Sequence, residues 1–128
     1  MGDPAEDLPS APRWARLELV TEGAAHFCAD GSVLGSQGNL PETLTQHWTD
    51  LEPRHLLLGR ENGFWFAFTP VTVARPFSLD GAPLLPGDRR WLDRVRHHLA
   101  LDDLRIGLRL HPAEGGWFAR VRGRRGQG

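Results

Sequence analysis

The alternation of apolar and polar residues predicts β-strands along most of the chain. In the run Leu104–Leu110, every second residue is leucine or isoleucine, and arginine or glycine stands between them. A period of two is typical of a strand with one buried and one solvated face. Arg13–Val20 shows the same pattern, and Phe64–Phe68 places three phenylalanines on one face opposite Trp65 and Ala67. We expect strands in all three runs.

Turn-forming residues divide the chain into short segments. Gly, Pro, Asp or Asn recurs every eight to twelve residues, and Asn62-Gly63, Asp80-Gly81 and Pro86-Gly87 supply turn chemistry. Shorter strands are predicted at His26–Ala29, Ser32–Leu34, His55–Leu58, Phe77–Leu79, Arg89–Leu92, His97–Leu101 and Trp117–Arg122. This organisation predicts an all-β fold, a two-sheet β-sandwich of about ten or eleven short strands.

One segment between strands has helical spacing instead. Apolar residues recur three or four positions apart from Leu40 to Leu51. Asn39 is a candidate helix cap, and Pro41 suits a first helical turn. We therefore predict a short helical insertion near residues 40–51.

The length of 128 residues fits a single domain. Residues 1–12 are acidic and rich in proline, so we expect a flexible lead-in there. The β domain is predicted to occupy residues 13–122. Residues 123–128 are predicted to be a disordered basic tail.

Fifteen basic and sixteen acidic residues give a formal charge of −1, and every basic residue is arginine. Such balance provides no long-range attraction for nucleic acid or anionic lipid, so we expect neither as a partner. No apolar run approaches a membrane span and no signal peptide is evident, which favours a cytoplasmic protein. The arginine-rich, lysine-free composition favours a bacterial origin.

The histidines do not form a recognisable metal-binding motif. His97 and His98 are adjacent, so on a strand they point to opposite faces. The other four, His26, His47, His55 and His111, lack ligand spacing. We therefore expect no metal and no cofactor.

Cys28 is the only cysteine, which excludes an intrachain disulfide. A lone thiol beside Phe27 is typical of a small core residue. The alternative is a small enzyme with Cys28 as nucleophile and His26 or His55 as base, although no local motif supports it. We predict that the protein is not an enzyme.

Four short motifs occur in a characteristic order. Val33-Leu34-Gly35-Ser36 is followed by Asp50-Leu51-Glu52-Pro53-Arg54-His55, then by Phe77-Ser78-Leu79-Asp80-Gly81 and Pro83-Leu84-Leu85-Pro86-Gly87-Asp88. This order resembles the forkhead-associated (FHA) domain family over roughly residues 14–111. The resemblance implies a β-sandwich that binds phosphothreonine peptides.

The departures from the family pattern affect the positions that contact the ligand. Where the family has a phosphate-binding arginine and serine and a peptide-binding asparagine, this chain has Ser36, Glu52 and Asp80. Each carboxylate near a phosphate adds repulsion of about 1 kcal/mol per unit-charge pair at ~4 Å in water. Losing an arginine–phosphate contact removes roughly another 1.5–3 kcal/mol. We therefore predict a protein-interaction or scaffolding module that does not depend on phosphate.

The expected partner surface is one loop end of the sandwich, and an exposed Trp65 on a sheet face is the alternative surface. A second hypothesis keeps phosphothreonine binding through Arg54, Arg60 or Arg75. The candidate partner-binding residues are Ser36, Gln37, Asn39, Glu52, Arg54, Arg60, Arg75 and Asp80.

Overall fold

The computed structural model describes residues 14–46, 48 and 50–112, and their side chains from Arg16 onward. These residues form ten strands and one short helix. The elements are β1 (Trp14–Thr21), β2 (Ala24–Cys28), β3 (Ser32–Leu34), α1 (Glu42–Thr45), β4 (Leu56–Glu61), β5 (Phe64–Phe68), β6 (Ser78–Leu79), β7 (Ala82–Pro83), β8 (Arg89–Trp91), β9 (Arg96–Leu101) and β10 (Leu104–Pro112).

The strands form two antiparallel sheets. Six strands follow the order β2-β1-β10-β9-β6-β7, and four follow the order β3-β4-β5-β8. The predicted all-β, two-sheet sandwich is confirmed. The helix within the described residues has only four residues, so no described helix is long enough to cross a membrane.

Two hairpins close through the turns that the sequence predicted. Asn62 and Gly63, between β4 and β5, have φ values of 54° and 83°. Asp80 and Gly81, between β6 and β7, have φ values of 52° and 89°. Two successive positive φ values define the turn that matches the twist of a two-residue hairpin.

The core lies between the two sheets. Leu17 and Leu19 of β1, together with Ile106 and Leu108 of β10, are at most 1% exposed. Burying a side chain of this size stabilises the fold by about 1.5–3 kcal/mol. The inward alternation predicted for β1 and β10 is confirmed.

The orientation of β5 differs from the prediction. Trp65 is 2% exposed and Ala67 is fully buried, so they face the core, whereas Phe66 and Phe68 are partly exposed on the other face. The expectation of an exposed Trp65 was wrong. Both faces of this strand are apolar, so alternation alone does not say which one is inward. The ring of Phe66 packs over Gly59 on the neighbouring strand, where a Cβ would lie only 2.8 Å from its Cε2 atom.

The helical insertion is shorter than predicted. Leu44, Trp48 and Leu51 are buried as their spacing indicated. Pro41 occupies the N-cap position without a side-chain cap bond, so Asn39 is not the helix cap. Its side chain accepts a hydrogen bond from Val33 N (2.8 Å) and donates one to Gly31 O (3.0 Å).

These two bonds place Asn39 along the free edge of β3, the outermost strand of the smaller sheet. Unpaired backbone groups at a sheet edge can pair with other chains, and proteins commonly cover them. We infer that Asn39 covers this edge.

Several predictions concern parts of the chain outside the described residues. These are the flexible lead-in at residues 1–12, the strand Trp117–Arg122 and the basic tail at residues 123–128. They stay predictions.

Candidate partner-binding loop end

Two loops meet at one end of the smaller sheet. Ser36 N donates to Glu52 O (3.0 Å), and Gln37 N donates to Pro53 O (3.1 Å). Gly35 permits this approach because a Cβ there would lie 2.7 Å from Glu52 O and closer still to Pro53 O. The structure therefore brings Ser36, Gln37 and Glu52 together, as the sequence indicated.

His55 joins a third loop to these two. Its side chain is 1% exposed, its Nδ1 accepts from Glu52 N (3.1 Å), and its Nε2 donates to the carbonyl oxygen of Arg75 (2.5 Å). The ring also packs edge-on against Phe77, with centroids 5.1 Å apart. The Glu52 carboxylate accepts from Ala74 N (2.7 Å), so the same two loops are linked twice.

Arg75 extends this cluster to the β9–β10 turn. Its guanidinium forms an ion pair with Asp102, and both side chains are more than half exposed. Arg54 is also exposed, and it has no ion-pair partner among the described residues. We define the loop end as Ser36, Gln37, Glu52, Arg54, Arg75 and Asp102, together with Asp50 and Asp103 of the same loops.

A pocket of about 290 Å³ opens beside the loop end. Asp50, Asp102 and Asp103 supply its charged groups. The remaining lining is apolar and comes from Trp48, Leu51, Leu101 and Leu104. Carboxylates around an apolar floor suit a cationic side chain with an apolar stem.

Acidic groups predominate in this region. The same loops contain two arginines, Arg54 and Arg75, and four carboxylates, those of Asp50, Glu52, Asp102 and Asp103. Their net charge is −2. Of these arginines, one is already paired with Asp102. Converging, unpaired cationic donors of the kind that hold a phosphate are therefore lacking within the described loops.

Asp80 lies elsewhere, contrary to the expected grouping. β6 pairs with β9 so that Ser78 is opposite Ala100, which places Asp80 beside His98 and Arg75 near Asp102. The β9 end at His97 and the turn at Asp102 are separated by about 17 Å of extended strand. Arg75 comes three positions before β6 and Asp80 follows it directly, so the two residues lie at opposite ends of that strand.

Arg60 and Asn39 are also separated from the loop end. Arg60 lies near the far end of β4 from His55, and its backbone N donates to Asp30 Oδ1 (2.9 Å). Asn39 is committed to the β3 edge. The predicted set thus divides among four places, and only Ser36, Gln37, Glu52, Arg54 and Arg75 share one.

Asp80 instead forms a polar cluster with the buried His97 and the exposed Arg94. Its Oδ2 accepts from His97 Nδ1 (2.6 Å) and from Arg94 (3.1 Å), and its Oδ1 accepts from His98 N (2.8 Å). Partial burial of the carboxyl would raise its pKa, but the hydrogen bonds from His97 and His98 and the attraction to Arg94 outweigh it. The pKa of Asp80 is therefore below its ordinary value.

Replacing Asp80 with asparagine is expected to lower the free energy of unfolding at pH 7 by about 1–2 kcal/mol. Asparagine tolerates the positive φ of this turn, so the variant tests the charge. A depressed folded pKa stabilises the protein above the unfolded value of 3.8, and this contribution is lost as the pH falls through the folded pKa. Urea unfolding should show the two proteins converging below about pH 3.8. A difference independent of pH would contradict the assignment.

Cys28 is buried, and burial raises the pKa of its thiol to about 11 despite a hydrogen bond with Ser32. At neutral pH the thiol is protonated, whereas nucleophilic cysteines need a thiolate. The sequence-based expectation of a core cysteine is confirmed.

Alkylation of Cys28 in the folded protein is expected to be at least about 100-fold slower than in the urea-unfolded chain, because the thiolate fraction falls as the pKa rises from 9.0 to about 11. Iodoacetamide labelling followed by mass spectrometry measures both rates. Rapid labelling of the native protein would revive the hypothesis of a cysteine enzyme.

His97 is 2% exposed and His98 is exposed, so the two rings do point to opposite sides of β9. Within residues 14–46, 48 and 50–112, no group of three or more His, Cys, Asp or Glu residues is close enough to hold a metal ion.

No protein-family model, curated protein or solved structure matches this chain. The FHA resemblance therefore stays a prediction from short motifs and their order. The interpretation of the loop end depends on its geometry and charge.

Proposed function

We propose that this chain is a protein-interaction module of the FHA type that binds its partner through the loop end without requiring phosphate. Three loops are held together there by backbone hydrogen bonds and by the buried His55. Preorganised loops bind with a smaller loss of conformational entropy than mobile ones. Exposed polar side chains on such loops are typical of recognition surfaces.

The charge of the loop end carries this proposal. Four carboxylates stand near two arginines, and Arg75 already has Asp102 as its partner. A phosphate dianion placed there would meet repulsion of about 1 kcal/mol per carboxylate at ~4 Å in water. Arg60 is too distant to compensate. An uncharged or basic partner segment suits this surface better than a phosphorylated one.

The adjoining pocket specifies the partner further. Its three aspartates surround Trp48 and leucine side chains. A lysine or arginine of the partner would place its methylene stem on the apolar floor and its charged group among the carboxylates. We therefore propose a partner segment that carries at least one basic residue.

A phosphothreonine peptide library and its unphosphorylated twin, titrated in parallel, test phosphate dependence. We expect equal affinities or weaker binding of the phosphorylated set. A phosphate-dependent gain of about tenfold, which corresponds to 1.4 kcal/mol, would reject the proposal and favour the rearranged site at Arg54 and Arg75.

Variants then locate the surface. Unphosphorylated peptides selected for binding should lose at least about tenfold in affinity when Asp50 and Asp103 are both changed to asparagine. Asp93→Asn is the matched control because Asp93 is exposed and lies before the opposite end of β9. Equal losses in both variants would show that the peptides bind elsewhere.

A further inference from the structure

The outer face of the six-stranded sheet is basic. Leucine and isoleucine side chains of β1, β9 and β10 point inward, and the intervening positions point outward. We define the basic face as Arg16, Arg96, Arg105, Arg109, His98 and His111. With histidine counted as neutral and Glu18 as the one acidic strand residue among them, the face has a charge of +3.

The rest of the described chain has the opposite charge. Residues 16–46, 48 and 50–112 outside this face contain six arginines and eleven acidic residues, a net charge of −5. Glu22 and Asp103 lie in turns that border the face. The near-zero total charge of the protein therefore conceals one basic face on a chain that is otherwise acidic.

The pairing of strands concentrates the arginines. Arg109 is opposite Glu18 on β1 and opposite Arg96 on β9. The Glu18 carboxylate lies 3.1 Å from His111 Nε2 and 3.9 Å from Arg109 Nη1, so it contacts both side chains. Arg96 has no acidic partner within residues 16–46, 48 and 50–112.

Arginines directly opposite each other on neighbouring strands repel and destabilise a sheet. Packing does not require them, because both side chains are exposed. An anionic ligand lying across Arg96 and Arg109 would relieve this repulsion. The arrangement is therefore better explained by binding than by folding.

Small side chains form a trough beside these arginines. Gly107 is opposite His98, and Ala100 lies between Arg105 on β10 and Ser78 on β6. These residues contribute to the lining of a groove of about 1010 Å³. An extended segment can approach the sheet closely where side chains are small.

We propose that the basic face binds an acidic segment of a partner protein. The planar guanidinium groups of Arg96 and Arg109 suit paired hydrogen bonds to carboxylates. The charge of +3 attracts such a segment, and the −5 elsewhere directs it to this face. This surface is distinct from the loop end.

The observations favour an acidic protein segment over nucleic acid. Phe27, 41% exposed at the border of the face, is covered by the Arg16 guanidinium 3.6 Å from its ring centroid. His111 packs against the same ring at 5.4 Å. Surfaces that bind single strands need open aromatic rings for base stacking. A long polyanion would also meet the acidic remainder of the chain, whereas a short acidic segment would not.

Fluorescence anisotropy with a labelled peptide of alternating glutamate and glycine tests the proposal. About eight residues at ~3.3 Å each are enough to cross six strands ~4.8 Å apart. We expect binding that weakens between about 50 and 200 mM salt. A peptide with glutamine in place of glutamate, and the double variant R96Q/R109Q, should each bind at least about tenfold more weakly.

The matched control is R54Q/R60Q, which removes two exposed arginines from other surfaces and should bind the acidic peptide like the unmodified protein. Thermal unfolding of both double variants checks that they are folded. Equal binding of the glutamate and glutamine peptides, or unchanged binding by R96Q/R109Q, would overturn the proposal.

Two further results would show that the basic face binds a different kind of partner. Tighter binding of single-stranded DNA of about eight nucleotides than of the peptide would assign the face to nucleic acid. A dimer at low salt that R96Q/R109Q abolishes would assign it to a second copy of this chain. None of these outcomes affects the loop-end proposal, because Arg96 and Arg109 are not part of the loop end.

Discussion

Replacing His55 with alanine is expected to lower the free energy of unfolding by about 3–4 kcal/mol. The substitution leaves a cavity against Phe77 and deprives Glu52 N and the Arg75 carbonyl oxygen of their partner. Both groups belong to loops that are otherwise joined through the Glu52 carboxylate. Urea denaturation measures the loss.

His98→Ala is the matched control, because that ring is exposed and its removal should change the free energy of unfolding by less than about 0.5 kcal/mol. Amide hydrogen exchange in His55→Ala should also show reduced protection around Gly35 and Arg75. A loss below about 1 kcal/mol would mean that His55 does not hold the loops together.

The second large effect is expected at Gly35. An alanine Cβ there would lie 2.7 Å from Glu52 O and closer to Pro53 O, and backbone atoms cannot move aside without shifting a loop. Overpacking of this kind costs about 3 kcal/mol. Chemical denaturation of Gly35→Ala gives the value, and binding of loop-end peptides should fall with it.

Gly107→Ala provides the comparison for Gly35. Its Cβ would meet only ordinary contacts, the nearest at 3.6 Å from Val20 O. The free energy of unfolding should therefore change by less than about 1 kcal/mol. If both substitutions had the same effect, the close approach at Gly35 would not be the cause.

The two proposed surfaces have opposite charges and separate positions. The loop end is acidic, and its three loops are held together by His55. The basic face lies on the outside of the larger sheet. Binding at one surface does not require residues of the other. Together, the two proposals describe a module that connects two partners of different charge.

The sequence by itself determined most of the described strands and two of the turns. Leu104–Leu110 alternates strictly, and such alternation is stable only as a strand with one buried face. Asn62-Gly63 and Asp80-Gly81 adopt the backbone that a two-residue hairpin requires, because these residues tolerate positive φ. These properties are local, so a single sequence is enough to predict them.

Only the tertiary structure decided which groups meet. Trp65 faces inward because the sheets pack against that side of β5, which alternation could not specify. Asp80 joins His97, and Arg60 lies far from Arg54, because strand register rather than motif order determines neighbours. The net charge of −1 likewise gave no sign of a basic face, since a total does not record how pairing distributes arginines between surfaces.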